Sequence, residues 1–431
     1  MSLYTDAVKT HVIDPVRDIT GRRTEFRLSN CDEAVYLSNM RLMNLGVITD
    51  INGSYNSLTG CYGIIQQITL FDGSTLLDQV LSAQSLLGFK LYNRSNDKAR
   101  DQSRYLAKNG LGFTFTNIDY GDVGNINNEA RSIDYYTPAE AKTGTGTTVF
   151  DTNKGWLSLR EIFPLLSELN YVPTGLFKNL RVVVQYDLTS DQVTPGGTVT
   201  VTVLAQTEPL LVVDQLVDPV LSASITSSFT NVNYRSIEHD RAVVNSITPT
   251  AANPNPEQVS NFTVNGFDNK TVNRIVIVNT PKSTVSQFTG THHSVSQLNQ
   301  KLQVRVNGAN KIPRSGDGWN RPNQRLARLT DTWGECVTTP GSNDLNVNNS
   351  SNIASELTND LIGNMDYTGI VIGEKVNELQ LSYTRTGQFN TAVAPADQNT
   401  QSLNESIELN IYGEVEKSLT VKGDRYNVSY V

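Results

Sequence analysis

The sequence predicts an all-β protein with a few short helices, built from two tandem eight-stranded antiparallel jelly rolls. Its 431 residues exceed one ordinary core and suit two domains of about 200 residues each. Short runs of β-branched and aromatic residues, such as TVTVTVLA at 198–205, recur between turn residues. Many short strands separated by turn signals indicate sandwiches, and two similar eight-stranded sandwiches in tandem indicate jelly rolls.

A weak internal repeat supports the tandem arrangement. The strand LRVVVQY at 180–186 has a counterpart in LQLSY at 379–383. In both halves this strand is followed by a polar loop, a second strand, a glutamate and an apolar strand. The apolar run 210–217 ends at Asp218-Pro219, so we place the boundary there. We predict an N-terminal arm at 1–20, a first roll at 21–218 and a second roll at 219–431.

Two segments have helical spacing. Between residues 155 and 170, six large apolar residues recur every three or four positions, and Pro164 interrupts them, so a short or kinked helix is expected. Residues 76–91 show the same period and predict a second helix. Residues 222–234, rich in Ser, Thr and Val, are predicted as a strand. The first segment and the residues between it and the strand at 180–186 supply four candidates for packing or subunit contact: Trp156, Leu159, Phe163 and Phe177.

Composition and charge exclude several functions. The formal net charge of −8, without a basic arm in the first 25 residues, argues against sequence-specific nucleic-acid binding. No run approaches the ~18 apolar residues of a membrane span, so membrane insertion is not expected. The three cysteines are far apart in sequence and include no CxxC pair, which fits a reducing compartment and disfavours a zinc site.

Motifs for catalysis are absent from the sequence. It contains no GxSxG, HExxH or GxxxxGK[ST] pattern, so we predict no enzyme, no catalytic or metal site and no cofactor. We interpret His292-His293 as a solvated loop pair and Glu238-His239-Asp240 as a charged surface turn. The remaining candidates for subunit contact are two tryptophans near loop glycines, Trp319 and Trp333, and two members of a local basic cluster, Arg321 and Arg325.

Several segments, in a consistent order along the chain, resemble one family. They include GIIQQITLFDGSTLLDQ at 63–79, IFPLLSELNYVPTGLFKNLRVVVQY at 162–186, VVDQLVDP at 212–219, NGFDNKTVNRIVIV at 265–278 and LQVRVNGANKIP at 302–313. The pattern resembles the double jelly-roll major capsid proteins of double-stranded DNA viruses, in the polinton-like virus and virophage branch.

This resemblance implies a structural protein of the virion, made in the host cytoplasm or a virus factory. Homotrimers would form pseudo-hexagonal capsomers, and lateral contacts between trimers would tile an icosahedral shell around a double-stranded DNA genome. Penton and minor or cement capsid proteins would be further partners. The segment at 155–170 would lie on the flank of its roll and help to fill the gap to a neighbour.

Two other functions remain open from the residues alone. A carbohydrate-binding jelly-roll spike or lectin-like virion protein would use loop aromatics such as Trp319 and Trp333 as sugar platforms. A jelly-roll glycoside hydrolase would need two carboxylates roughly 5–9.5 Å apart across a cleft, and the sequence shows no such pair.

Overall fold

The computed structural model describes strands of both predicted rolls and part of the chain between them. The description covers residues 8–17, 22–30, 33–45, 48–49, 65–92, 141–144, 147–150, 155–186, 201–202, 209–247, 250, 252–253, 256–281, 300–312, 328, 331–333, 367–386, 406–422 and 425–431. Trp319, Arg321, Arg325 and the His292-His293 pair lie outside these residues.

The first roll consists of two large antiparallel sheets that face each other and two additional two-stranded sheets. Its elements are β1 (Val8–Ile13), β2 (Val16–Arg17), β3 (Arg23–Arg27), β4 (Ala34–Leu37), β5 (Arg41–Leu45), β6 (Ile48–Thr49), β7 (Ile65–Asp72), β8 (Thr75–Leu81), α1 (Ala83–Tyr92), β9 (Ala141–Gly144), β10 (Thr147–Phe150), β11 (Gly155–Ser158), a 3₁₀ turn (Leu159–Glu161), α2 (Pro164–Glu168), β12 (Tyr171–Pro173), β13 (Leu180–Tyr186), β14 (Val201–Thr202) and β15 (Leu210–Val217).

One sheet of this roll has β15 between β1 and the interrupted strand β4/β5, which pairs with β12 and β11. The other sheet has the order β2/β3, β13, β7, β8. If an interrupted strand counts as one, the sheets contain strands 1-8-3-6 and 2-7-4-5 of the roll. This order, in which successive strands alternate between the two sheets except for the fourth and fifth, is that of a jelly roll.

The second roll repeats this order with longer strands. Its elements are α3 (Pro219–Ser228), β16 (Asn231–Val244), β17 (Glu257–Val264), β18 (Lys270–Pro281), β19 (Gln300–Val306), β20 (Ala309–Asn310), β21 (Tyr367–Val376), β22 (Leu379–Thr386), β23 (Ile407–Lys422) and β24 (Arg425–Tyr430).

Its sheets have the orders β16-β23-β18-β21 and β17-β22-β19-β20, which are again strands 1-8-3-6 and 2-7-4-5. β24 extends the first sheet by pairing with the end of β23. The predicted fold class is therefore confirmed. The repeat noted in the sequence is also structural, because β13 and β22 are the seventh strand of their rolls.

The N-terminal residues join the first roll rather than standing apart from it. β1 pairs antiparallel with β15, with Val8 opposite Leu216 and Ile13 opposite Leu211. The strands of this roll thus begin before residue 21. Asp218, at the predicted boundary, caps α3 by accepting a 2.9 Å hydrogen bond from the backbone N–H of Leu221.

Three secondary-structure predictions are wrong in part. Residues 155–158, including Trp156, form β11, which pairs with β5, and only Pro164–Glu168 is α-helical, with Pro164 at its first turn. Within 76–91, the first half is strand β8 and only the part from Ala83 is helix. Most of 222–234 is helix α3 instead of strand, because an Asp-Pro start sets a helix N-terminus.

Candidate functional site: the junction between the rolls

The two rolls meet where β8 and the helices α1 and α2 of the first roll pack on one sheet of the second. β8, the fifth strand of the first roll, lies against β16, the first strand of the second roll. Helix α2 packs on β16 as well, and α1 packs on β18. The fifth-strand edge of one roll therefore packs on the outer face of the sheet that contains the first strand of the next.

Apolar side chains fill this junction because the central strands of the second roll are buried on both faces. On β18, Ile275 and Ile277 lie in the core of the second roll, whereas Val276 and Val278 pack with the first roll. Successive strand residues point to opposite faces, so one continuous apolar strand serves both cores. The first roll's core cluster includes six residues of the second roll: Tyr234, Ile237, Val276, Val278, Tyr412 and Leu419.

Tyrosine hydroxyls of the second roll donate hydrogen bonds to the backbone of the first. The Tyr234 hydroxyl donates to the Leu77 carbonyl oxygen at 2.6 Å, and the Tyr412 hydroxyl donates to the Ser82 carbonyl oxygen at 2.8 Å. The Tyr426 hydroxyl, on β24, donates to the carbonyl oxygen of Asp72 at 3.1 Å and also to its carboxylate. These bonds satisfy buried carbonyls at the rim of the first roll.

A series of hydrogen-bonded polar side chains also crosses the junction. Asp78 of β8 is fully buried, and its Oδ1 accepts a 2.6 Å hydrogen bond from the Ser236 hydroxyl of β16. Lys417 Nζ donates to the Ser236 oxygen at 3.0 Å and pairs with Glu238 Oε1 at 2.7 Å. Lys270 Nζ lies 3.6 Å from the other oxygen of Glu238.

Tyr430 closes this cluster on the solvent side. Its hydroxyl donates a 2.9 Å hydrogen bond to Glu238 Oε1, and the ammonium groups of Lys270 and Lys417 lie 4.5 and 5.1 Å from its ring centroid. Burial alone would raise the pKa of Glu238, but the two lysines and Tyr430 lower it below its ordinary value. The interpretation of Glu238-His239-Asp240 as a surface turn is wrong, because these residues lie within β16.

A second ion pair fixes the short helical stretch that contains Trp333. Arg274 on β18 forms a bidentate pair with Glu414 of β23, at 2.7 and 3.1 Å, and donates a 3.0 Å hydrogen bond to the Thr332 carbonyl oxygen. The Arg274 guanidinium lies 4.2 Å from the centroid of the Trp333 ring, and the indole N–H donates to the Ile275 carbonyl oxygen at 3.3 Å. The Trp333 ring is thus packed against its own chain.

The other predicted contact residues that the structure describes lie in the interior. Leu159, Phe163 and Phe177 are buried in the first roll's core, and Phe177 also contacts the ring of Tyr426 at 5.6 Å between centroids. They pack within the chain, and a role in subunit contact stays a prediction. The structure brings both Phe177 and Trp333 to the junction, because Phe177 belongs to the first roll's core cluster and Trp333 of the second roll packs against that cluster.

The described part of the chain contains neither a cluster of metal-ligating side chains nor a membrane-spanning helix. There, no three His, Cys, Asp or Glu side chains come close enough to hold a metal ion. Among the same residues, no helix is long and apolar enough to cross a membrane.

Comparisons with known proteins identify the fold through structure alone. No family model and no curated protein sequence matches the chain. A chain of the Sputnik virophage particle superposes with a TM-score of 0.57 at 10% identity, over 98% of this chain and 88% of that one.

Two capsid proteins give similar results. VP54 of PBCV-1, fitted into a reconstruction of Sputnik, gives a TM-score of 0.54 at 12% identity, over 98% and 97% of the two chains. The mavirus major capsid protein gives 0.53 at 10% identity, over 100% of this chain and 91% of that one. This chain therefore has the double jelly-roll fold of viral major capsid proteins.

Proposed function

We propose that this protein is a structural major capsid protein that trimerises into pseudo-hexagonal capsomers, which tile an icosahedral virus shell around double-stranded DNA. The observation that carries the proposal is the junction within the chain. It joins the fifth-strand edge of one roll to the outer face of the sheet that contains the first strand of the next, so it is a head-to-tail contact between two rolls of the same topology. Head-to-tail contacts generate rings when the rotation closes.

Each end of the chain's two-roll unit offers one half of the same contact. In the first roll, the first-strand edge is β1, and β1 pairs only with β15 among the described strands. In the second roll, the fifth-strand edge is β20, which pairs only with β19 in the described part. If β20 of one copy meets β1 of the next as β8 meets β16 within a copy, three chains give a ring of six similar rolls.

Exposed apolar residues lie on β1 and on β21, each of which pairs with a single strand among those described. Val12 of β1 and Val371 of β21 are both 59% exposed. Large apolar side chains at open edges are typical of surfaces that pair with another chain. The overall negative charge fits lateral contact that is sensitive to ionic strength.

The runner-up, a carbohydrate-binding spike, has less support. Trp333, one of its two proposed sugar platforms, packs its ring on Arg274. Penton and cement partners, and a virion location, accompany the capsid proposal as parts of the same assembly.

Light scattering coupled to size exclusion tests the trimer and its edges. We expect a mass of three times 47.5 kDa for the wild-type chain. Val12→Asp and Val371→Asp should each raise the trimer dissociation constant at least tenfold, because a carboxylate would be buried without a partner.

Val259→Asp is the matched control, because Val259 is 53% exposed but lies on β17, at the opposite end of its sheet from β20. It should leave the trimer intact. A monomeric wild-type protein would contradict the trimer, whereas a trimer that tolerates both edge variants would contradict only the assignment of the edges.

A further inference from the structure

The junction holds a buried carboxylate that the capsid proposal does not explain. We propose that Asp78 is a proton-binding site that tightens the contact between the two rolls as the pH falls from neutral to about 5. The inference concerns the junction within one chain, so it does not depend on whether trimers form.

Asp78 belongs to the first roll and contacts a polar cluster of the second roll that contains Ser236, Lys417 and Glu238. Asp78 is 0% exposed, and Ser236, which donates to its Oδ1, is also 0% exposed. The nearest ammonium, that of Lys417, donates to Ser236 and forms its ion pair with Glu238, not with Asp78. The charge of Asp78 is therefore separated from its counter-ion by a hydroxyl.

The second carboxylate oxygen of Asp78 is the less satisfied one. Oδ2 is buried and accepts no hydrogen bond from the described residues. The backbone N–H of Leu165, in the first turn of α2, favours the charged carboxylate without reaching hydrogen-bond geometry at Oδ2. An anionic oxygen that is buried without a donor costs free energy, and protonation removes the charge.

The direction of the effect follows from the pKa. Burial raises the pKa of Asp78 to about 6, against the opposing influence of Lys417, Ser236 and the N–H groups of Leu165 and Gln79. In a chain whose junction is open, water reaches the carboxyl group and its pKa returns toward 3.8. The closed junction then binds the proton more tightly than the open one. Its stabilisation is complete below the lower pKa and is lost as the pH rises through the higher one.

The other titratable groups around Asp78 act at different pH values or in the opposite direction. Burial lowers the pKa of His239, so this residue costs stability as the pH falls through the same window. Glu238, with its lowered pKa, contributes stability that is lost only in stronger acid. Burial raises the pKa values of Tyr234 and Tyr430, which stay neutral, and the ammonium groups of Lys270 and Lys417 complete the set that faces the cluster.

A comparison of variants isolates Asp78 from these groups. Urea unfolding of the full chain would be measured from about pH 7.5 to about pH 5 at one protein concentration, for wild type, Asp78→Asn and the control Glu257→Gln, which neutralises an exposed carboxylate on β17. Relative to Asp78→Asn, the folding equilibrium constant of wild type should rise about tenfold between these two pH values. The control Glu257→Gln should show the same roughly tenfold rise as wild type, and Asp78→Asn should not show it. A ratio that stays constant across the range overturns the proposal.

If Asp78→Asn does not fold, the pH dependence of the stability of Ser236→Ala provides an independent test. Removal of the hydroxyl takes away a donor that favours the charged carboxylate, so the midpoint of the pH dependence should move to higher pH. A midpoint that stays at the wild-type position would contradict the role of Asp78.

Discussion

The two rolls share one topology, but they differ in how their cores are closed. The second roll has long, regular strands, and its own core cluster contains only its own residues. In the first roll, β4/β5 and β11/β12 are interrupted, helices α1 and α2 fill the space beside the sheets, and the core cluster extends into the second roll. The same strand order therefore occurs in a roll whose core is closed by its own residues and in a roll whose core is completed by residues of its neighbour.

The difference has a consequence for stability. Because the outer face of β18 and β23 belongs to the first roll's core, the first roll needs the second roll folded beside it. The second roll, with Leu409 and Ile411 in a closed interior, has no such need. The two halves should thus unfold in a fixed order when only one core is damaged.

The largest expected loss of stability, and the strongest test of this difference between the rolls, comes from a cavity made in each core. Phe163→Ala, at a fully buried position beside α2, should lower the free energy of unfolding by about 3–5 kcal/mol, and Leu409→Ala by about 2–5 kcal/mol. Hydrogen exchange should show that Phe163→Ala reduces protection in the first roll only, whereas Leu409→Ala reduces it in both. Equal loss in both rolls for both variants would refute the asymmetry.

A smaller effect is expected from a close contact in the second roll. A methyl group added at Gly413, on the central strand β23, would overlap the buried ring of Phe267. Gly413→Ala should lower stability by about 1–3 kcal/mol in urea unfolding, because the packed core gives little room. The double variant with Phe267→Leu should recover part of that loss. If Gly413→Ala were neutral, the packing of this strand would be looser than described.

The smallest expected loss of stability comes from a hydrogen bond between β24 and the first roll. β24 belongs to the second roll, yet its Tyr426 hydroxyl binds Asp72 at the turn between β7 and β8 of the first. Tyr426→Phe should cost about 1 kcal/mol, since the site is partly exposed. The loss in thermal unfolding should be smaller in a chain that already carries Asp72→Ala, because only the backbone carbonyl oxygen of residue 72 then remains as an acceptor. Fully additive losses would show that the hydroxyl does not act through the carboxylate.

The sequence predicts the fold better than the local structure at the junction. The dipeptides Asp72-Gly73 and Asn307-Gly308 are turn signals in the sequence, and both form hairpin turns, with positive φ at Gly73, Asn307 and Gly308. Period and turn chemistry are local signals, and they are sufficient for regular strands. They fail for β8, whose apolar run mimics a helix because both of its faces are buried.

The junction cluster could not be predicted from sequence because its members are distant in the chain. Glu238 looks like part of a charged turn until β16 pairs with β23 and brings Lys417 to within 2.7 Å. One available signal was missed. The run RIVIV at 274–278 is apolar without alternation, which is typical of a strand that is buried on both faces, and so indicates a second layer on that sheet.

Cryo-electron imaging of the purified full-length chain tests the central claim most directly. The head-to-tail junction predicts ring-shaped particles in which three copies present six similar rolls with pseudo-sixfold appearance. Single two-roll particles at every protein concentration, or closed rings with another number of copies, would contradict the proposed capsomer.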